Sequence, residues 1–233
     1  MKRLAFLLAL FAAPVQAWTV AEMNATINST NFIVNRGCSG TLISLEYRLI
    51  LTNHHCIDGG VVTRTKDVVG DDGTVVKKQV EELRDLDVSQ RAYDQYRLVG
   101  EATYKTQIVA RWKESDLALL QIRASIPNGI AAKVFSGETV ERGEPVIVVG
   151  NPLGLDATVM RGVVSSTTRM FRVDWADAEV PFIQTDAGIT GGNSGGAMFN
   201  EAGELIGVPA AGARGTVLGL AIPYTRIQEF LDE

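Results

Sequence analysis

Breaking a carbonyl–nitrogen bond takes a nucleophile, a base and somewhere for negative charge to go, and this chain offers few candidates for each. The run Gly192-Asn193-Ser194-Gly195-Gly196 sets one serine among residues with little or no side chain. A serine hydroxyl is a poor nucleophile until a base takes its proton, and attack on a carbonyl needs donors for the developing charge. Flanking glycines let the backbone bend sharply and turn N–H groups toward one point, which builds an oxyanion hole without side chains. The same composition also makes an ordinary Gly-rich turn between strands. A base and an orienting partner elsewhere would separate the two readings.

The search for the base is short. The chain has two histidines, His54 and His55, adjacent to one another after the apolar stretch Leu49-Ile50-Leu51-Thr52. A carboxylate, Asp116, opens a second apolar run, Leu117-Ala118-Leu119-Leu120-Gln121-Ile122. His55, Asp116 and Ser194 follow in that order with gaps of 61 and 78 residues. Those gaps suit a histidine and an aspartate on one barrel and a serine on a second.

The elements that must position these residues are strands. Short β-branched or apolar runs alternate with Gly, Pro, Asn and Asp turns at intervals of about 8–15 residues, the pattern of an all-β sandwich or barrel. Residues 37–44 and 47–52 read as one hairpin, and Val61–Thr63 with Thr74–Val76 around Asp71-Asp72-Gly73 as another. Further strands are predicted over 107–112, 116–122, 145–149, 158–165, 180–184, 197–199, 205–208 and 217–222. The charged stretch 81–97 is a short helix or a surface excursion. Only 224–231 reads as helix, with Ile227, Phe230 and Leu231 on one face. Residues 125–129, with Pro127 and Gly129, divide the chain into an N-terminal part (18–125) and a C-terminal part (126–223), followed by the helix (224–233).

Composition sets the outer bounds. With 46% apolar and 21% charged residues the chain is globular, and a net charge of −5 gives no electrostatic footprint for nucleic acid. Lys2 and Arg3 before the apolar run Leu4 to Phe11, then Val15-Gln16-Ala17, form a secretory signal with cleavage after Ala17. The run is shorter than the ~20 residues of a membrane span, so the chain is expected to be periplasmic or secreted and free of the membrane after processing. Export points to a disulfide between the two cysteines, Cys38 and Cys56. The rival, a metal site with His54 and His55, lacks ligand spacing: adjacent histidines do not both turn to one ion, and there is no Cys-x-x-Cys.

Leu51-Thr52-Asn53-His54-His55-Cys56, Asp116-Leu117-Ala118-Leu119-Leu120 and Gly192-Asn193-Ser194-Gly195-Gly196 together resemble the three active-site motifs of the chymotrypsin-like serine peptidases. Within that superfamily the chain is most similar to the bacterial Deg (high-temperature-requirement) peptidases. Ile50-Leu51-Thr52-Asn53, Gly150-Asn151-Pro152-Leu153-Gly154, Phe182-Ile183-Gln184-Thr185-Asp186-Ala187 and Gly219-Leu220-Ala221-Ile222-Pro223 carry that closer match. The resemblance covers roughly residues 37 to 230. It implies two six-stranded antiparallel Greek-key β-barrels with a short C-terminal helix. By the same resemblance His55 is the general base, Asp116 its orienter, Ser194 the nucleophile, and the N–H groups of Gly192 and Ser194 the oxyanion hole. His54 falls where the family has a non-catalytic residue. Water resolves the acyl-enzyme, so neither cofactor nor metal is called for.

The cysteines depart from most Deg peptidases and resemble the chymotrypsin branch, where a disulfide ties this strand to the residue after the histidine. Dipeptidyl-peptidase relatives share Asn-His-His-Cys but need a large helical domain for which this chain has no room. Deg peptidases often continue into a peptide-binding PDZ domain, and this chain stops at Glu233 without one. Aligned on the serine, Gly188 and Ile189 form the base of the specificity pocket, with Pro209, Ala210, Gly212 and Gly219 as walls. No carboxylate sits at the base for Lys or Arg, and no histidine lies in the wall for Glu. Cleavage of peptide or protein substrates after small or medium apolar residues is expected. Asn193, where secreted digestive enzymes place aspartate, implies activity without further activation cleavage. The alternative is a catalytically silent relative that binds peptides or partners; the oligomeric state is left open.

Overall fold

The structure is a computed structural model that describes residues 19, 21, 23–24, 27–28, 32–35, 37–94, 97–126, 129–212 and 215–233. The signal segment 1–17 and the linker residues Pro127 and Asn128 lie outside the described residues. The strands are β1 (Phe32–Val34), β2 (Cys38–Ser44), β3 (Leu49–Thr52), β4 (Val61–Val69), β5 (Val75–Leu83), β6 (Leu86–Asp94), β7 (Arg97–Trp112), β8 (Leu117–Ile122), β9 (Lys133–Val134), β10 (Pro145–Gly150), β11 (Thr158–Arg172), β12 (Glu179–Thr185), β13 (Ala197–Phe199), β14 (Glu204–Gly212) and β15 (Gly219–Pro223). Helix α1 (Tyr224–Asp232) ends the chain.

Strands β1-β2-β3-β8-β7-β6 close into a six-stranded antiparallel barrel. In the second half β13-β10-β11-β12-β15-β14 run in order, and a β13–β14 pairing closes that ring as well. Both six-stranded units therefore exist, with two departures. The short β9 joins the second sheet in parallel with β14, pairing Lys133 with Glu204 and Val134 with Leu205. The described residues of the stretch 81–97 are neither helix nor loose excursion: they include the end of β5, all of β6 and the start of β7. Exposed strand charges there pair across strands, as in Lys105–Asp87 at 2.6 Å, so part of that charge density reported a solvated sheet face.

Several central strands read as continuous apolar runs because both of their faces are buried. In β8, Ala118, Leu120 and Ile122 point into the first barrel, while Leu117 and Leu119 point into a layer between the barrels. In β10, Val146 and Val148 fill the second barrel, and Ile147 and Val149 enter the same middle layer. Phe182, Phe199, Ile222 and, from α1, Ile227 and Phe230 complete that layer. Period-two alternation thus sorts side chains between two barrel cores and a shared seam. Within the first barrel Thr52 pairs with Ala118, which brings the end of β3 and the start of β8 side by side.

Candidate active site

His55 leaves β3 in a short 3-10 turn (His55–Gly60), and Asp116 precedes β8, so the β3–β8 pairing sets their separation. Asp116 is 1% exposed and has φ +53°, in the left-handed region that Asp tolerates better than most residues. That backbone is held from both sides: its N–H donates to Lys113 O at 3.0 Å, and its carbonyl accepts from Asn53 Nδ2 at 2.9 Å. Its carboxylate faces His55. Oδ1 accepts from the His55 backbone N–H at 2.9 Å, and the two oxygens lie 3.0 and 2.9 Å from His55 Nδ1. A ring nitrogen facing a carboxylate carries the proton, which leaves Nε2 as the free base.

The two neighbouring histidines respond to their surroundings in opposite directions. Burial alone would lower the His55 imidazole, but the hydrogen bond it donates to Asp116 and that carboxylate's charge outweigh it and raise the pKa above the usual 6.5. His54 is lowered, because burial dominates and Asp58, with Nδ1–Oδ1 at 4.0 Å, only partly offsets it.

Ser194 sits in a loop whose peptide units are fixed one after another. The Gly191 carbonyl accepts from Leu153 N–H at 2.9 Å, and the Asn193 carbonyl from Gly196 N–H at 2.9 Å. In a trans peptide N–H and C=O point oppositely, so the N–H groups of Gly192 and Ser194 are aimed away from those ties. The Gly192 carbonyl accepts from Ser39 Oγ at 2.7 Å, and the Ser194 carbonyl from Ser39 N–H at 2.7 Å. Asn193 N–H donates to Thr190 O at 3.1 Å, and Gly195 N–H to Pro209 O at 3.0 Å. Glycine is required at two of these positions. Gly192 has φ +103°, and a Cβ there would lie 2.2 Å from Asn151 O; Gly195 has φ +81°, and a Cβ would lie 2.2 Å from Thr52 Oγ1 and 2.3 Å from Ser39 O.

The disulfide Cys38–Cys56 ties β2 to the turn that carries His55, both in the first barrel. Cys56 Sγ lies 3.8 Å from the Ser194 carbonyl oxygen, and a ring nitrogen of His55 lies within 4.8 Å of both sulfurs. With both sulfurs in that bond, neither is a thiolate ligand. The Ser194 hydroxyl itself donates to Ala210 O at a long 3.4 Å.

The residues expected to form the specificity pocket also gather here. Gly212 pairs with Gly219 across β14 and β15, and Thr185 pairs with Gly219 across β12 and β15. Ile189 is 7% exposed and packs between the two glycines: a Cβ on Gly219 would lie 2.6 Å from its Cδ1, and one on Gly212 would lie 2.0 Å from its carbonyl oxygen. Gly188 is open, and Ala210 is buried. The nearby carboxylate of Asp186 accepts from Val163 N–H at 2.7 Å.

One residue escaped the sequence reading. Ser39 is fully buried, and its hydroxyl, besides donating to Gly192 O, accepts from Asn151 N–H at 2.9 Å and Asn151 Nδ2 at 3.1 Å. It therefore links β2 of the first barrel to two loops of the second. In sequence it was one more small residue in the first strand of the hairpin 37–52, and its only signal was its position next to Cys38.

Comparison with known proteins places this geometry. The trypsin-like peptidase domain family matches residues 38–208. The chain is 31% identical over 201 residues to the periplasmic serine endoprotease DegP of Escherichia coli (strain K12), covering 84% of this chain and 35% of that protein. It is 36% identical over 180 residues to the putative serine protease HhoA of Synechocystis, covering 75% of this chain and 37% of that protein. The chain thus spans little more than a third of the length of these relatives. Among solved structures, a serine-to-alanine variant of the HtrA-type protease AlgW with a tripeptide matches at TM-score 0.66 and 24% identity, over 92% of this chain and 63% of that one. The fold and the matched span agree: this chain belongs to the trypsin-like peptidase domain family.

Proposed function

We propose that the protein is an exported serine endopeptidase in which Ser194, His55 and Asp116 act as a catalytic triad. The observation that carries the reading is the double engagement of the buried Asp116 carboxylate with His55, through both its backbone N–H and its Nδ1. His55 Nε2 takes the Ser194 proton as the hydroxyl attacks the scissile carbonyl, and Asp116 fixes the tautomer and stabilises the imidazolium. The oxygen of the tetrahedral intermediate is received by the N–H groups of Gly192 and Ser194. The imidazolium then protonates the leaving amine, and water, activated by the same imidazole, releases the acyl group. The weak Ser194 Oγ bond to Ala210 O is broken by one rotation about χ1, and such loose geometry is common before substrate binds.

Ile189 between Gly212 and Gly219 supports a shallow, apolar primary pocket, so cleavage follows Val, Ala, Ile or Leu. Asp186, held against Val163, is not a counter-ion for Lys or Arg. The loop around Asn193 is fixed by backbone bonds within residues 39–209, which supports activity without cleavage beyond signal removal. The relatives' names and the N-terminal signal support a periplasmic location. Among the described residues no helix is long and apolar enough to cross a membrane.

A fluorophosphonate probe tests the reading directly. Labelling of the wild type but not of Ser194→Ala is expected. A folded wild type that takes no label would instead favour the silent, peptide-binding relative. Proteome-derived peptides should be cut after small apolar residues, and efficient cleavage after Arg or Glu would overturn the pocket assignment. A chain starting at Trp18 that stays inactive until trimmed would overturn the absence of a zymogen step.

A further inference from the structure

Strands β4 and β5 belong to neither barrel. Among the described residues they pair only with each other, from Val61↔Leu83 at the base to Val69↔Val75 at the tip. Nine residues per strand make a ribbon about 30 Å long. It is anchored near its base, where Arg84 N–H donates to Gly60 O at 2.7 Å and Glu81 pairs with Arg111. An isolated two-stranded ribbon is marginal in water, and an unpaired strand edge is a template for another strand. Val69, Val75 and Val76 are 68%, 64% and 52% exposed near the tip, and Leu83 is 48% exposed at the base.

The sequence of β5, Val75-Val76-Lys77-Lys78-Gln79-Val80-Glu81-Glu82-Leu83, is complementary to itself on one face when reversed. In antiparallel pairing across a twofold axis at Gln79, Val75 meets Leu83 of the second copy, Lys77 meets Glu81, and Gln79 meets Gln79. These three pairings lie on one face, because the residues alternate along the strand. On the other face Lys78 meets Val80 and Val76 meets Glu82, with Glu82 and Lys78 of the second copy each one diagonal step from Lys78. Opposite charges placed directly across a sheet stabilise it, and like charges destabilise it. Moving the axis one residue to Lys78 sets two lysines face to face. The outer edge of β4, centred on Thr65, sets Arg64 against Lys66. On the face carrying Val75, Lys77 and Gln79, the axis at Gln79 alone among these gives matched charges and matched apolar ends.

We propose that the outer edge of β5 is a dimerisation surface that pairs antiparallel with β5 of a second copy about a twofold axis at Gln79. Two marginal ribbons then become one four-stranded sheet, β4-β5-β5-β4. Across it Asp67, which already pairs with Lys77 in the same chain, extends an alternating row of charge: Asp67, Lys77, then Glu81 of the second copy. The contact is isologous and closes on itself, so it stops at two copies through this edge.

Sedimentation equilibrium of the purified chain from about 1 to 100 μM, a range that brackets a small polar interface, should show twice the monomer mass at the upper end. A chain that stays monomeric throughout overturns the proposal. Gln79→Cys, placed on the axis, should give a crosslinked dimer under mild oxidation, whereas Thr65→Cys, at the facing position on β4, should not. Equal crosslinking from both would overturn the register. Lys77→Glu and Glu81→Lys should each be monomeric and should dimerise again when mixed in equal amounts, with circular dichroism confirming that each is folded. Failure of the folded mixture to associate would also overturn the assignment.

Discussion

The two halves of the candidate site are held by different forces. The first barrel supplies His55 and Asp116, positioned by a buried charge and its hydrogen bonds. The second supplies the loop from Gly191 to Gly196, positioned by backbone bonds and by space that only glycine fits. The first half responds to protonation and tolerates changes of shape around an imidazole that is 40% exposed. The second has no titrating group in its frame and responds to added volume. Chemistry that needs a tunable base and a fixed charge receptor is thus divided between a titrating half and a rigid one.

The largest effect expected from breaking the titrating half is Asp116→Asn. The amide no longer stabilises the imidazolium or enforces the tautomer, and kcat should fall by about 10⁴. The acid limb of the pH profile should also move down, because the interactions that raise His55 are gone. An unchanged limb would show that Asp116 does not set it. Next is Gly192→Ala in the rigid half, where the new Cβ meets Asn151 O. Loss of one oxyanion donor costs about 10²–10³ in kcat, and affinity for a peptide boronate should fall in parallel while KM changes little. An effect on KM alone would remove Gly192 from the oxyanion hole.

Ser39→Ala tests whether the halves are joined where the structure joins them. It strands Gly192 O and Asn151 N–H in the interior at a cost of about 1–3 kcal/mol. The thermal midpoint should drop, and kcat should fall by about tenfold to a hundredfold with KM nearly constant. A lower midpoint with unchanged kcat would mean the hydroxyl only stabilises the fold. The smallest effect is in the wild type itself. Since the folded pKa of His55 lies above 6.5, kcat/KM should fall as pH drops through that value. The stability contribution of His55 runs the other way: it is fully present below the unfolded pKa of about 6.5 and is lost as pH rises through the folded one. Denaturant titrations of wild type and His55→Ala across that window should separate the two trends.

Much of this was legible in the chain. Residues 197–199 form a strand as expected, since Ala197-Met198-Phe199 is short, apolar and bounded by glycines and Asn200. The runs at 117–122 and 145–149 were legible as strands because burial on both faces leaves them wholly apolar. The placing of His55 and Asp116 with one barrel and of Ser194 with a second also followed from motif order and spacing. The ribbon was half legible: Asp72-Gly73 marked its turn, but its length was hidden because alternating Lys, Glu and Val on a solvated ribbon looks like a charged surface. Ser39 was not legible at all. Its role depends on Gly192 and Asn151, 153 and 112 residues away in sequence, and no local pattern reports a contact of that span.

The Cys38–Cys56 bond, closing a sequence separation of 18 residues, has a consequence in time as well as in space. Cys38 precedes the serine that holds the Gly192 loop, and Cys56 follows the histidine, so one covalent link restrains both halves. Such bonds persist where thiols are oxidised and are rare where glutathione keeps them reduced. A chain still inside the reducing compartment that made it lacks this restraint, worth about 3 kcal/mol for a loop of this size. If the chain is exported as proposed, the site gains this restraint only once the chain has left the reducing compartment.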